Sequence, residues 1–229
     1  MTVVYEVALR TGGEQGNEIR RWFEARTAKL WRELPQLKSF DVYVPCEEGA
    51  SDPHVADGAG PCLLCMLSFA DEASLRTAIG EPAFRSGLEG RPANVPVSAE
   101  AMVRKFYSTG GETREQALAA PFSYVVRYHR PAEDERRFVE HYLADHPALL
   151  ARLPGIRSVL CYLPIPWQDP NGIASPDYML GNEVVFDSLE HFNAAMASPV
   201  RHELRAHFRK FPAFSGRNTH YPMVRTRLA

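Results

Sequence analysis

One imidazole in this chain falls on a helix face that the surrounding residues mark for burial. In the stretch Asp134 to Tyr162 the apolar positions are Phe138, Val139, Tyr142, Leu143, Leu149, Leu150 and Leu153. Spacings of three and four put them on one side of a helix, and His146 lies on the same stripe. Glu135, Arg136, Glu140, Asp145 and Arg152 fall on the other side and read as solvated. A histidine there can pass a proton to or from a carbonyl compound near neutral pH. The structural alternative is a neutral ring bonded to a backbone carbonyl at the helix end.

A second polar group sits on an apolar strand. In Leu180 to Phe186, Asn182 shares a face with Leu180, Val184 and Phe186. A buried amide needs partners, so it can orient a substrate carbonyl or His146, or cap a loop. Tyr142 lies one helical turn before His146, where its phenol can donate to a developing enolate oxygen. Tyr124, Tyr128 and Tyr162 are further tyrosines that a substrate could touch, although core tyrosines with one bonded hydroxyl are common. The catalytic candidates are therefore His146, Asn182 and Tyr142, and the substrate-contacting candidates Tyr124, Tyr128 and Tyr162. Cys62 and Cys65 form a C-x-x-C, with Cys46 and His54 upstream. Zinc is the chemistry this suggests, but residues three apart on a strand point to opposite faces and no second close pair follows. No metal and no cofactor are expected. No glycine-rich phosphate loop or nucleophile elbow is present in the sequence.

The elements that must hold these groups alternate. Thr2 to Arg10 reads as a strand, Glu14 to Leu34 as a helix closed by Pro35, and Lys38 to Val44 as a strand. Cys46 to Gly60 is a long polar loop. Cys62 to Phe69 is a strand, Asp71 to Ile79 a short helix, Glu81 to Ser98 irregular, and Ala101 to Ser108 a strand. Gly110 to Ala120 reads as a linker. The order then recurs: strand Ser123 to His129, helix Asp134 to Leu153, strand Arg157 to Leu163, a proline-rich loop, strand Asp177 to Phe186, helix Leu189 to Met196, a helical segment Pro199 to Phe211, and strand Tyr221 to Leu228. Leu34-Pro35 matches Leu153-Pro154 at an offset of 153 − 34 = 119, which also pairs Tyr5 with Tyr124, Thr27 with His146 and Tyr43 with Tyr162. After the loop the offset is 186 − 69 = 117, pairing Cys65 with Asn182 and Pro82 with Pro199. A two-residue slip inside a loop is what duplication followed by loop drift produces.

Each half reads βαββαβ, which gives an α+β ferredoxin-like unit with helices on one face of an antiparallel sheet. Two tandem units, 1–112 and 121–229, can bury their open sheet faces against each other as an intrachain α/β barrel, a pseudo-dimer. That model buries Glu6, Arg10, Arg127, His129 and Glu183, unless some reach water at strand ends, and makes Glu183 and Arg127 a plausible pair.

The totals exclude other classes. The net charge of −2 offers no basic excess for nucleic acid or an anionic membrane. No apolar run approaches the roughly 20 residues that span a bilayer. Glu6 and Arg10 interrupt any signal-peptide pattern, so reduced thiols and a cytoplasmic setting are expected.

The second half resembles the EthD-like family of dimeric α/β-barrel proteins. The matching residues are Tyr142-Leu143-Ala144-Asp145-His146-Pro147, the turn Leu153-Pro154-Gly155, the strand ending at Tyr162, and Val185-Phe186-Asp187-Ser188-Leu189. The first half departs from it, with Thr27-Ala28 in place of His146-Pro147 and Gln36 in place of the glycine. The resemblance implies a cavity between helices and sheet for a small hydrophobic or aromatic molecule. It also implies isomerase, cyclase or dehydratase chemistry without a cofactor. Because Thr27, the duplicate of His146, cannot act as a base, catalysis is expected in the second half alone, with the first as scaffold. Two other readings stay open: a binding protein for a hydrophobic metabolite, and a haem-binding barrel with His146 as axial ligand. The chain is expected to be a monomer or a homodimer.

Overall fold

Strands in this chain are buried on both sides, and that shapes everything else. In the computed structural model, residues 2–11, 13–46, 48–54, 57, 60–92, 94–107, 109 and 119–229 are described. The first half runs β1 (Thr2–Leu9), α1 (Glu14–Trp22), a π-helical turn (Phe23–Thr27), α2 (Ala28–Trp31), β2 (Ser39–Pro45), β3 (Leu63–Phe69), α3 (Glu72–Gly80), α4 (Pro82–Leu88) and β4 (Val97–Tyr107). The second runs β5 (Phe122–His129), α5 (Glu135–Leu150), β6 (Ile156–Pro164), β7 (Tyr178–Phe186), α6 (Leu189–Ala197), α7 (Val200–Phe208) and β8 (Asn218–Arg227). The reading of 81–98 as irregular is corrected by α4. Pro82 opens that helix at a position needing no amide donor, but seven residues are too few to show a 3.6-residue period. The linker reading falls mostly on 110–118, which lie outside the described residues.

The eight strands of the described residues form one closed antiparallel barrel in the order β1-β3-β2-β8-β5-β7-β6-β4. Within it β4-β1-β3-β2 and β8-β5-β7-β6 are the same ferredoxin-like arrangement twice. The seams are β2 with β8 and β4 with β6, so each half pairs its second strand with the other's fourth. Closure removes every free sheet edge.

The outer strand faces carry two helix-covered cores. Tyr5, Val7 and Leu9 pack under the helices of the first half; Phe122, Val126 and Tyr128 do so in the second. The inner faces meet in a third core containing Val4, Met66, Leu160, Tyr162 and Val185. Buried charges share this interior. Arg127 pairs with Glu6 of the other half, with Nε 3.0 Å from the carboxylate and Nη2 closer still. Glu183 accepts hydrogen bonds from Ser123 (2.6 Å), Tyr162 (2.6 Å) and Tyr43 (3.2 Å). The expected Glu183–Arg127 pair is thereby corrected. Both lie on the inner face, but the β1–β4 half supplies a nearer carboxylate across the barrel. His129 is buried against Pro176 O and Thr219, and Arg10 lies partly exposed beside the Tyr221 hydroxyl.

Side-chain caps start the main helices. Asp134 accepts from the amide of Arg137, Asp71 from that of Ser74, and Ser188 from that of His191. The two long loops then cross. The β6–β7 loop puts Trp167 and Asp169 beside Tyr5 of the first half, and Asp169 accepts from the Tyr5 hydroxyl. The β2–β3 loop reaches the second half, where Asp52 accepts from Tyr124 at 2.7 Å and Ser51 N donates to Asn193 at 2.8 Å. Each half's opening between helices and sheet is covered by the other half's loop.

Candidate functional site

In the second half that opening is hollow. A cavity of about 310 Å³ lies between the sheet face of β5, β7 and β8 and the helices α5 and α7. This is at the small end of ligand pockets. Val126, Val184, Leu150, Leu153, Met196 and Leu204 supply apolar wall. Tyr124, Tyr128, His146 and Asn182 also line it, so four of the six candidate residues meet in one place. Tyr142 stands directly behind them, accepting a hydrogen bond from Asn182 Nδ2 at 2.5 Å. Tyr162 does not reach the cavity. It lies on the opposite strand face, inside the barrel, bonded to Glu183. The period of two decides this, because Cys161, its neighbour, takes the helix-facing position opposite Asn182.

His146 is buried on the sheet side of α5, with its Nδ1 3.1 Å from Nδ1 of His207. One of the two must carry the shared proton. Phe211 packs against both rings. Burial, with His207 and His141 close by, pulls its pKa down to about 3. The ring is therefore neutral at pH 7. It is fit to orient a neighbour by hydrogen bonding.

A second group of side chains at the mouth was not legible as a site. His220, on β8, has Nδ1 2.6 Å from Asp57 Oδ2. Its ring stacks on His54 with centroids 3.7 Å apart and lies 5.7 Å from the Tyr124 ring. His54, His220, Arg201 and Arg205 all line the cavity. Burial and His54 lower the His220 pKa to about 4, while Asp57 acts in the opposite sense. Burial also lowers that of His54. With Asp57 accepting from Nδ1–H, the lone pair of Nε2 is left for another partner. The first half therefore contributes His54 to the cavity wall of the second, with Asp52 and Asp57 bonded to its Tyr124 and His220, which corrects its reading as scaffold alone. The sheet register, which the sequence does not carry, sets His220 opposite Val126 just as Ala99 is set opposite Val7, so a polar ring stands where the first half has a methyl group.

The cysteines lie elsewhere. Cys62 and Cys65 both belong to the core under the first half's helices, which corrects the opposite-face reading, since Cys62 precedes β3 rather than lying in it. Cys62 Sγ donates to Leu9 O at 3.3 Å, and burial raises both thiols' pKa. His54 is at the cavity, away from them. His54, Asp57 and His220 present donor atoms within 4.8 Å of one another, a set of the kind divalent cations use, although the stacked rings do not share a plane in which one ion would sit.

Comparison with known proteins agrees with this architecture. Residues 130–215 match the EthD domain. An anthrone oxidase-like protein has the same fold, with a TM-score of 0.66 at 11% identity, over 100% of this chain and 93% of that one. A provisionally assigned monooxygenase from Lactobacillus acidophilus NCFM gives 0.56 at 12% identity, over 99% and 96% of the two chains. Another, from Fusobacterium nucleatum subsp. nucleatum, gives 0.57 at 9%, over 99% and 92%. At these identities the likeness is one of fold. No curated protein matches the chain. No helix among the described residues is long and apolar enough to cross a membrane.

Proposed function

We propose that this EthD-domain barrel is an enzyme for proton transfer on a small carbonyl or aromatic compound, with the Asp57–His220 pair as its base. The observation that carries the reading is a histidine on the wall of a mostly apolar cavity with a carboxylate 2.6 Å behind it. Asp57 fixes the ring's tautomer and stabilises the imidazolium when a proton arrives, the division of labour seen in hydrolase triads. The substrate's C–H bond next to the carbonyl breaks, the proton goes to Nε2 of His220, and the electron pair moves onto the carbonyl oxygen. Return of the proton to a different atom completes an isomerisation; delivery of that proton to a β-hydroxyl, which departs as water while the electron pair returns from the oxygen to form the C=C bond, completes a dehydration. Because the ring's conjugate acid is strong, return is fast. Tyr128 and Asn182 are the donors assigned to the oxyanion, and Tyr142 holds Asn182 in place. His146, which the helix pattern made the leading base, is assigned a positioning role, because its Nδ1 faces His207 where that of His220 faces a carboxylate.

The test needs no known substrate. A panel of aryl ketones and 1,3-dicarbonyl compounds in D2O is followed by proton NMR for loss of the α-hydrogen signal. The full chain should accelerate exchange on at least one, His220→Gln should remove about 10²-fold or more of the acceleration, and His146→Gln should leave most of it. Full exchange by His220→Gln refutes the assignment.

A further inference from the structure

The two repeats give an internal control, since one filled the space that the other left open. The offset of 117 pairs Phe84 with Arg201 (201 − 84) and Leu88 with Arg205 (205 − 88); the offset of 119 pairs Trp31 with Leu150 (150 − 31). In the first half Phe84 and Trp31 are fully buried and stack at 4.8 Å and 6°, while Leu88 is buried beside them. Gly87 makes room, as a Cβ there would stand 2.2 Å from the indole nitrogen of Trp31. In the second half the indole has become Leu150, and the two apolar residues have become guanidinium groups on the cavity wall.

Within the protein these cations have few partners, although Arg205 is exposed to solvent. Arg201 is half-buried, and its Nη1 donates to Met196 Sδ at 3.2 Å. A thioether is a weak acceptor for a charged donor. Among the described residues neither Arg201 nor Arg205 has a carboxylate within 4.0 Å, whereas Arg127, Arg152, Arg157 and Arg225 each have one. Asp52 is the acid facing Arg201 from the loop, and the Tyr124 hydroxyl already occupies it. Like charges four apart on a helix repel, so α7 carries them at a loss. Lost hydration further disfavours the Arg201 charge.

We propose that the cavity takes a singly charged anion, a flat molecule bearing a carboxylate, with Arg201 and Arg205 as the clamp on that group. Two guanidinium groups suit a planar carboxylate bidentately. The apolar wall takes the rest of the molecule. A doubly charged phosphate would meet Asp52 and Asp57 at the same mouth, which favours a single charge. This names the substrate class of the proton transfer above and rests on that cavity being the site.

The test is calorimetric titration of the full chain, in low salt, with 2-naphthoate and its neutral isostere 2-naphthamide. Naphthoate should bind about tenfold or more tighter, the range expected for hydrogen bonds to a charged partner. Arg201→Gln and Arg205→Gln should each erase most of that preference and leave the amide's affinity unchanged, with Tm confirming that both variants fold. Equal affinities for the two ligands, or a preference that survives both substitutions, overturns the anion proposal and leaves the proton-transfer reading standing. Binding of neither ligand overturns it as well, while a failed α-hydrogen exchange assay with intact naphthoate preference removes the base assignment alone.

Discussion

Cutting the ion pair that ties the two repeats through the barrel should cost unequal amounts from its two ends. Glu6 and Arg127 are 2% and 1% exposed, and neither can turn to water. Removing one partner of a buried pair strands the other charge, at about 3–5 kcal/mol. The structure ranks the two cuts. In Glu6→Gln, Arg127 keeps hydrogen bonds to Val126 O (2.8 Å) and Asn182 O (3.1 Å), and its guanidinium lies 5.0 Å from the Tyr162 ring. That change belongs near ~3 kcal/mol. In Arg127→Met, Glu6 retains chiefly the Tyr178 hydroxyl, so the loss belongs near ~5 kcal/mol. The double variant has no stranded charge and should lie well above the sum, with a coupling of about 2 kcal/mol or more. Set against a typical total of about 5–15 kcal/mol, either single change removes a large share. Urea unfolding followed by circular dichroism, run as a double-mutant cycle, measures all three. Reversed ranking of the single variants, losses below about 1 kcal/mol, or strict additivity would refute the reasoning.

Other consequences can be checked in the same preparations. His146 has its pKa lowered in the fold to about 3, so the unfolded chain binds its proton first. Stability should be complete above about pH 6.5 and fall through the window from 6.5 to 3, this ring adding at most ~1.4 kcal/mol per pH unit; His146→Gln should flatten the slope by about one proton in acid-unfolding curves. Gly87→Ala pushes a Cβ into Trp31, which Phe84 pins from the other side, and should lose about 1–3 kcal/mol, whereas Gly80→Ala, with nothing within 4 Å, should change Tm little. Tyr124→Phe removes the donor to Asp52 and should loosen the β2–β3 loop by about 1 kcal/mol, read as faster hydrogen exchange at the amides of Ser51 and His54 while β5 stays protected.

The period of the apolar residues, and its recurrence at offsets of 119 and 117, determined the strands and the paired βαββαβ units. Those are short-range patterns that one strand or helix carries within itself. The same logic placed His146, Asn182, Tyr124 and Tyr128 on helix-facing or sheet-facing surfaces that do meet. It also counted Tyr162 among the substrate-contacting tyrosines, and the alternation of β6 turned that ring into the barrel. Tertiary structure alone decided the rest. Asp52, His54 and Asp57 come from a polar loop with no periodicity, and they serve the other repeat because β2 and β8 share a seam that carries the loop across. Arg127 found Glu6 rather than Glu183 because barrel closure, which no local pattern encodes, brought β1 opposite β5. The depressed basicity of His146 has the same origin: it comes from removal from water and from two neighbouring imidazoles, His207 on another helix and His141 one turn away, and neither burial nor neighbourhood exists until the chain has closed.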